Sequence, residues 1–129
     1  MTSPNPDIMT IKVDGQDRDF IMSFGLVEEL ANHVGNNIEL MSVVLVDHDM
    51  RRLYLSSLLA ERSETGKRLK DVDIYDVRIE TSDVLLLLEW ATLRVTDFLL
   101  SAAKAAVRTA TSRAEEVKAL VSSLSGSKT

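Results

Sequence analysis

Two histidines, no cysteine and a scatter of carboxylates are what this 129-residue chain offers for covalent or metal chemistry. His33 ends a run with helical spacing, just before Gly35. An imidazole there suits a helix C-terminus, whose carbonyls carry partial negative charge, better than it suits a general base. His48 lies in "DHD", Asp47 to Asp49. Two carboxylates and an imidazole could hold a metal, but at a helix start they are more simply caps for free backbone N–H groups. "DVDIYD" supplies Asp71, Asp73 and Asp76. A calcium loop needs oxygen ligands at its first, third and fifth positions and glycine at the sixth, where Tyr75 and Asp76 stand instead. Gly66-Lys67 lacks the earlier glycine of a phosphate loop, and no Gly-x-Ser-x-Gly elbow exists. Glu28 and Glu29 are sequence neighbours, so on a helix they diverge and read as a solvated face. Without cysteine there is no disulfide, thiolate metal site or thiol nucleophile. The expectation is a protein with no catalytic residue, no cofactor and no metal, and not an enzyme.

The elements that would carry these residues follow from spacing. Residues 1–7, polar and proline-bearing, read as a disordered arm. In "IMTIKVDGQDRDFIM", Ile11 and Val13 alternate with polar neighbours, as do Phe20 and Met22. Asp14-Gly15 between them is a hairpin turn signal, since glycine accepts positive φ without steric cost. This predicts a β-hairpin over 8–22. Ser23 or Gly25 opens a helix bearing Leu26, Val27, Leu30 and Val34, with Gly35 as its stop. Asn36 or Asn37 caps "NNIELMSVVLV", and Asp47 or Asp49 caps a helix whose apolar side is Leu53, Leu55, Leu58 and Leu59. The polar interval around 62–71 reads as a loop. "VDIYDVRIE" is open between broken strand alternation and a short helix capped by Asp73. Thr81 or Ser82 caps the long helix that follows.

That helix holds "VLLLLEWATLRVTDFLL", Val84 to Leu100. Glu89, Arg94 and Asp97 interrupt it, each costing about 2.5–3.5 kcal/mol at a bilayer centre, so no membrane span is expected. At 100° per residue Val84, Leu87, Leu88, Ala91, Val95, Phe98, Leu99, Ala102 and Ala106 form a core stripe. Glu89, Thr92, Thr96, Asp97, Ser101, Lys104 and Arg108 lie opposite. Leu86, Trp90, Leu93 and Leu100 sit among those charges. Leu86, Leu93, Leu100, Val107, Ala114 and Val121 recur every seventh residue. Ala103, Ala110, Val117 and Leu124 make a companion row from Ala103 on, which is the seam a helix partner needs. Leu86, Trp90, Leu93, Leu100 and Val107 are therefore the candidate partner or self-association face. A neighbour within the fold is the competing explanation. Trp90 fits either a binding anchor or a core residue whose N–H finds an acceptor. Ser112 and Glu115 have capping-box spacing, so the helix could restart there.

The totals set the frame. One domain is expected at this length, its core aliphatic because only 5% of residues are aromatic. It would run over 8–124: the hairpin at 8–22, a helical core at 24–110, a terminal helix or extension at 112–124, then a frayed tail at 125–129. The fold class is α+β, mainly α, with the N-terminal β-hairpin packed on a helical domain that ends in one long helix. Net charge is −5. Residues 101–129 carry five Lys and Arg against two Glu, a balance of +3, which leaves −8 on the first hundred. An acidic body repels phosphate backbones, so no nucleic acid is expected as a partner. The start, "MTSPNPDIMT", has neither the basic region nor the apolar run of a secretory signal.

Residues 8–107 resemble the tail assembly chaperones of long-tailed, siphovirus-like bacteriophages. The likeness rests on Asp14-Gly15 in a short hairpin, Phe20 to Phe24, Glu28-Glu29-Leu30 and Gly35. It continues in "DHDMRRLYLSSLLAER", a polar interval and "VDIYDVRIETSDVLLLLEWA". The "VDIYDVRIE" portion departs toward β character where the family is often helical. The resemblance implies a small, mainly helical protein that forms a homo-oligomer and binds the tape measure protein, keeping it soluble. It also implies help in recruiting tail tube protein, a place in the cytoplasm of the infected host, and absence from the mature virion. Many such proteins are made in two lengths by ribosomal frameshifting. The competing classes are a structural tail or head-completion protein retained in the virion, and a helical accessory subunit outside any phage.

Overall fold

The computed structural model describes residues 5–126. Its elements are β1 (Ile8–Val13), β2 (Gln16–Ile21), α1 (Phe24–His33), a 3-10 turn (Ile38–Leu40), α2 (Val43–Val46), α3 (His48–Leu59), β3 (Glu61–Arg62), β4 (Arg68–Lys70) and α4 (Thr81–Gly126). The class is the expected one, α+β and mainly α, with the hairpin first and the long helix last. The chain divides into two units, Met1–Leu99 and Leu100–Thr129.

In the first unit, β1 and β2 pair antiparallel from Ile8↔Ile21 to Val13↔Gln16. The two-residue connection is Asp14-Gly15, both at positive φ (54° and 81°), the hand of turn that matches strand twist. Strand alternation turns Ile11 and Phe20 inward to burial and Ile8 and Ile21 outward. Ser23 caps α1, its hydroxyl accepting from Leu26 N at 3.3 Å. Gly35 and Asn36 follow at φ 60° and 57°, and Asn36 N donates to Ala31 O at 2.9 Å, closing the helix end. Asn37 caps only the 3-10 turn, through Glu39 N at 3.0 Å. Asp47 caps α3 through Met50 N at 2.9 Å. One core cluster gathers Leu30, Ala31, Val44, Tyr54, Leu58, Leu59, Leu87, Leu88, Ala91 and Val95 with Ile11 and Phe20.

Four expectations need correction in this unit. The loop expected at 62–71 contains β3 and β4, a bulged antiparallel pair closed by Ser63 N to Lys67 O at 2.9 Å. The segment 72–80 is neither strand nor helix. Val72, Ile74, Val77 and Ile79 point inward as alternation predicts, but their neighbours make no ladder. Instead Asp73 and Asp76 form a turn, and Arg78 is tied to the hairpin turn in both directions, by Arg78 N to Asp14 Oδ1 (2.7 Å) and Asp14 N to Arg78 O (2.8 Å). α4 begins at Thr81 with Val84 N donating to Glu80 O at 3.0 Å, so Glu80 occupies the place expected of Thr81 or Ser82. Residues 5–7, expected in the disordered arm, are held. Asp7 O accepts from Met22 N at 2.8 Å, and Pro6 O accepts from α4. Residues 1–4 lie outside the described residues.

The second unit is helical through Gly126. The restart considered at Ser112 does not occur; 112–124 is an extension of α4 and 125–126 belong to it. The rest of the expected frayed tail, 127–129, lies outside the described residues. Ala102 and Ala106, placed on the core stripe by spacing, are exposed.

Candidate functional site

The expected face divides when the side chains are placed. Leu86 and Leu93 of the first unit are 50% and 59% exposed. Leu100 and Val107 of the second are 45% and 65% exposed. Trp90 is not with them. It is buried, 9% exposed, and its indole N–H donates to Pro6 O at 2.7 Å. Of the two roles open to it, this is the core one. Thr92, expected on the polar side, is buried as well, its hydroxyl satisfied by Glu89 O at 2.9 Å. On the solvent side of the first unit, α4 thus presents Leu86 and Leu93, and Leu85 at 42% exposure, as leucines that no core explains. Arg94 lies beside them, paired with Asp97 at 2.8 Å.

The polar residues converge elsewhere. Glu29 and His33 are one turn apart on α1 and meet Ser57 of α3. His33 Nε2 lies 2.7 Å from Ser57 Oγ, and the Ser57 hydroxyl also bonds Glu29. Arg62 of β3 reaches the same carboxylate at 2.6 Å, and Arg68 of β4 at 3.3 Å. Arg62 also donates to Ser57 O and Gly66 O, at 2.9 and 3.0 Å. Serine, histidine and glutamate together invite a hydrolase reading, but proton bookkeeping opposes it. A carboxylate only accepts, so with its hydroxyl turned to Glu29, Ser57 would accept from a protonated His33 Nε2. A general base would present a lone pair to that hydroxyl. Ser57 is also 1% exposed. The cluster's work is to fasten α1, α3 and the β3–β4 hairpin together.

Its electrostatics follow from burial. Desolvation alone would raise the Glu29 carboxyl; the Ser57 and Arg62 hydrogen bonds and the charges of Arg62 and Arg68 outweigh it and hold the group below its usual range. Desolvation lowers His33, assisted by Arg68 and Arg62 and opposed by Glu29. His33 thus sits in the last turn of α1, where a dipole partner was expected, with its ring packed against Tyr54 and its pKa lowered by burial. Glu29 is likewise not on a solvated face. Spacing could have flagged the pair, since Glu29 and His33 are four apart. Arg62, 33 residues from Glu29, left no local signal.

Two clefts open on the first unit. One, about 150 Å³, lies between β2 and the β3–β4 turn. Its arginines are committed inward: Arg18 to Leu59 O at 3.1 Å and over the Phe20 ring, Arg62 to the cluster above. The other is a groove between the Asp14-Gly15 turn and residues 76–83. Among the described residues no three His, Asp or Glu side chains form a group able to hold a metal ion, and no helix is long and apolar enough to cross a membrane. Compared with known proteins, the chain matches no family model, no curated protein and no solved structure.

Proposed function

We propose that this protein is a tail assembly chaperone of a long-tailed bacteriophage. It associates with itself, binds the tape measure protein, keeps that protein soluble and helps recruit tail tube subunits. It acts without a catalytic step, in the host cytoplasm, and leaves before the virion is complete. The observation that carries the reading is the exposure of Leu86 and Leu93 on the stretch of α4 that supplies Leu87, Leu88, Ala91 and Val95 to the core. Apolar side chains held in water on a rigid element are what a holder of helical, aggregation-prone clients needs. The long, apolar-striped second unit supports it in the same way, as does the order of elements that carries the resemblance.

The test is co-expression with the tape measure protein of the same phage. The client should be insoluble alone and soluble and co-purified with this chain. Mass spectrometry of purified virions should lack the chain; its presence there in stoichiometric amount would make it a structural tail component instead. Replacing Leu86 and Leu93 with serine should lower oligomer mass in light scattering while the thermal transition stays in place, because neither side chain is in the core.

A further inference from the structure

The second unit carries a more specific message than exposure. Leu100, Val107 and Val121, with Ala114, occupy the first position of a heptad, and Val117, with Ala103 and Ala110, the fourth. All are exposed. In this register Lys104 and Lys118 fall at the fifth position and Arg113 at the seventh, directly flanking the apolar seam. Glu115, Glu116 and Arg108 fall at the second and third positions, away from it. The charge next to the seam is therefore cationic on both sides, and the acidic residues are on the back.

This arrangement selects a partner. Two copies of the seam side by side set Arg113 against Lys118 of the other copy when parallel. In the antiparallel register that places Val107 on Val117, Lys104 meets Lys118 and Arg113 meets Arg113. Either way like charges line the contact, which disfavours pairing. Alanines at three of these seven layers, Ala103, Ala110 and Ala114, let a partner backbone approach closely but bury little area, so flanking charge has a large share in the choice. We infer that the second unit docks a helix of another protein whose apolar stripe is flanked by aspartate and glutamate, and not a second copy of itself. A phosphate backbone would leave the valines in water. An anionic bilayer would want aromatic or larger side chains than these. The inference deepens the client-binding half of the proposed function and rests on it only for the client's name.

The test uses the full chain and two fluorescent peptides with leucine at the first and fourth heptad positions, one with glutamate and one with lysine at the fifth and seventh. Fluorescence anisotropy should show the glutamate peptide bound roughly tenfold or more tighter than the lysine peptide, with affinity falling as salt rises. Arg113→Glu with Lys118→Glu, on an exposed helical surface, should reverse that preference while circular dichroism stays unchanged. Equal affinity for the two peptides overturns the inference. So does a preference that survives the double substitution, or binding of duplex DNA or phosphatidylserine vesicles that the glutamate peptide cannot displace. Tape measure protein held as tightly by the double variant overturns the inference alone. A peptide preference that behaves as expected, with no tape measure protein held, overturns the chaperone reading alone.

Discussion

Trp90 shows how one hydrogen bond decides a side chain's fate. Its indole N–H, if buried without an acceptor, would cost about 1–3 kcal/mol. The carbonyl of Pro6, 84 residues earlier, removes that cost and in return fixes the first described residues on α4. Trp90→Phe should lower stability by about 1–2 kcal/mol in urea denaturation and speed amide exchange at Asp7 and Ile8; unchanged exchange there would mean the contact holds nothing. Nothing in "MTSPNPD" announced this, because the acceptor is a main-chain atom and any residue has one. The Glu29–His33 pair has a pH signature instead. Both groups have folded values below their unfolded ones, so the unfolded chain binds more protons in each window. Stability is therefore complete above the ordinary histidine value of 6.5. It falls as pH drops through the lowered His33 value, and falls again below the ordinary carboxylate value of 4.5 as Glu29 protonates. His33→Gln can still donate an amide hydrogen bond to Ser57. It should abolish the first step of the melting-temperature profile and leave the second.

Elements with local signals were legible, and elements defined by their partners were not. The Asp14-Gly15 turn, the Ser23 and Asp47 caps and the Gly35 stop are each written within four residues, and all appear where spacing put them. The β3–β4 pair was hidden in a polar interval because its strands are two and three residues long and its reason for forming is distant. That reason is the Glu29 carboxylate, which draws Arg62 and Arg68 to α1. A second cause is the close approach of Gly66 to the start of α1. Gly66 has φ 92°, and a Cβ there would sit 2.1 Å from Ser23 Oγ. Gly66→Ala should destabilise the protein on the order of 2 kcal/mol or more, combining backbone strain with loss of the Ser23 cap. Gly15 also has positive φ but faces open space, so Gly15→Ala should cost only about 1 kcal/mol. A larger cost at Gly15 than at Gly66 in thermal unfolding would mean that the hairpin turn, and not the docking of β3–β4, limits stability. The segment 72–80 teaches the complementary lesson. Alternation correctly marked which residues face inward, but a strand also needs a neighbour, and the hydrogen bonds of Arg78 go to a turn.

At the scale of the whole molecule, charge and burial divide at the same place. The first unit carries −8 and every buried residue among those described; the second carries +3 and contributes none. Periodicity overreached here, assigning Ala102 and Ala106 to a core stripe that ends at Leu99, because a helical repeat records that one face is apolar and not which chain will cover it. No described residue beyond Leu99 is buried, which predicts that a chain ending at Leu99 unfolds within about 3 °C of the full protein in calorimetry. Self-association through Leu86 and Leu93 would survive in that chain, since both leucines remain. Binding of the glutamate-flanked peptide would vanish, since the seam and its lysines are gone. A truncated chain that unfolds well below the full protein would mean the second unit supports the first. One that keeps its stability but no longer associates would move the self-association face from Leu86 and Leu93 to the part of α4 beyond Leu99, against the like-charge argument drawn from Lys104, Arg113 and Lys118.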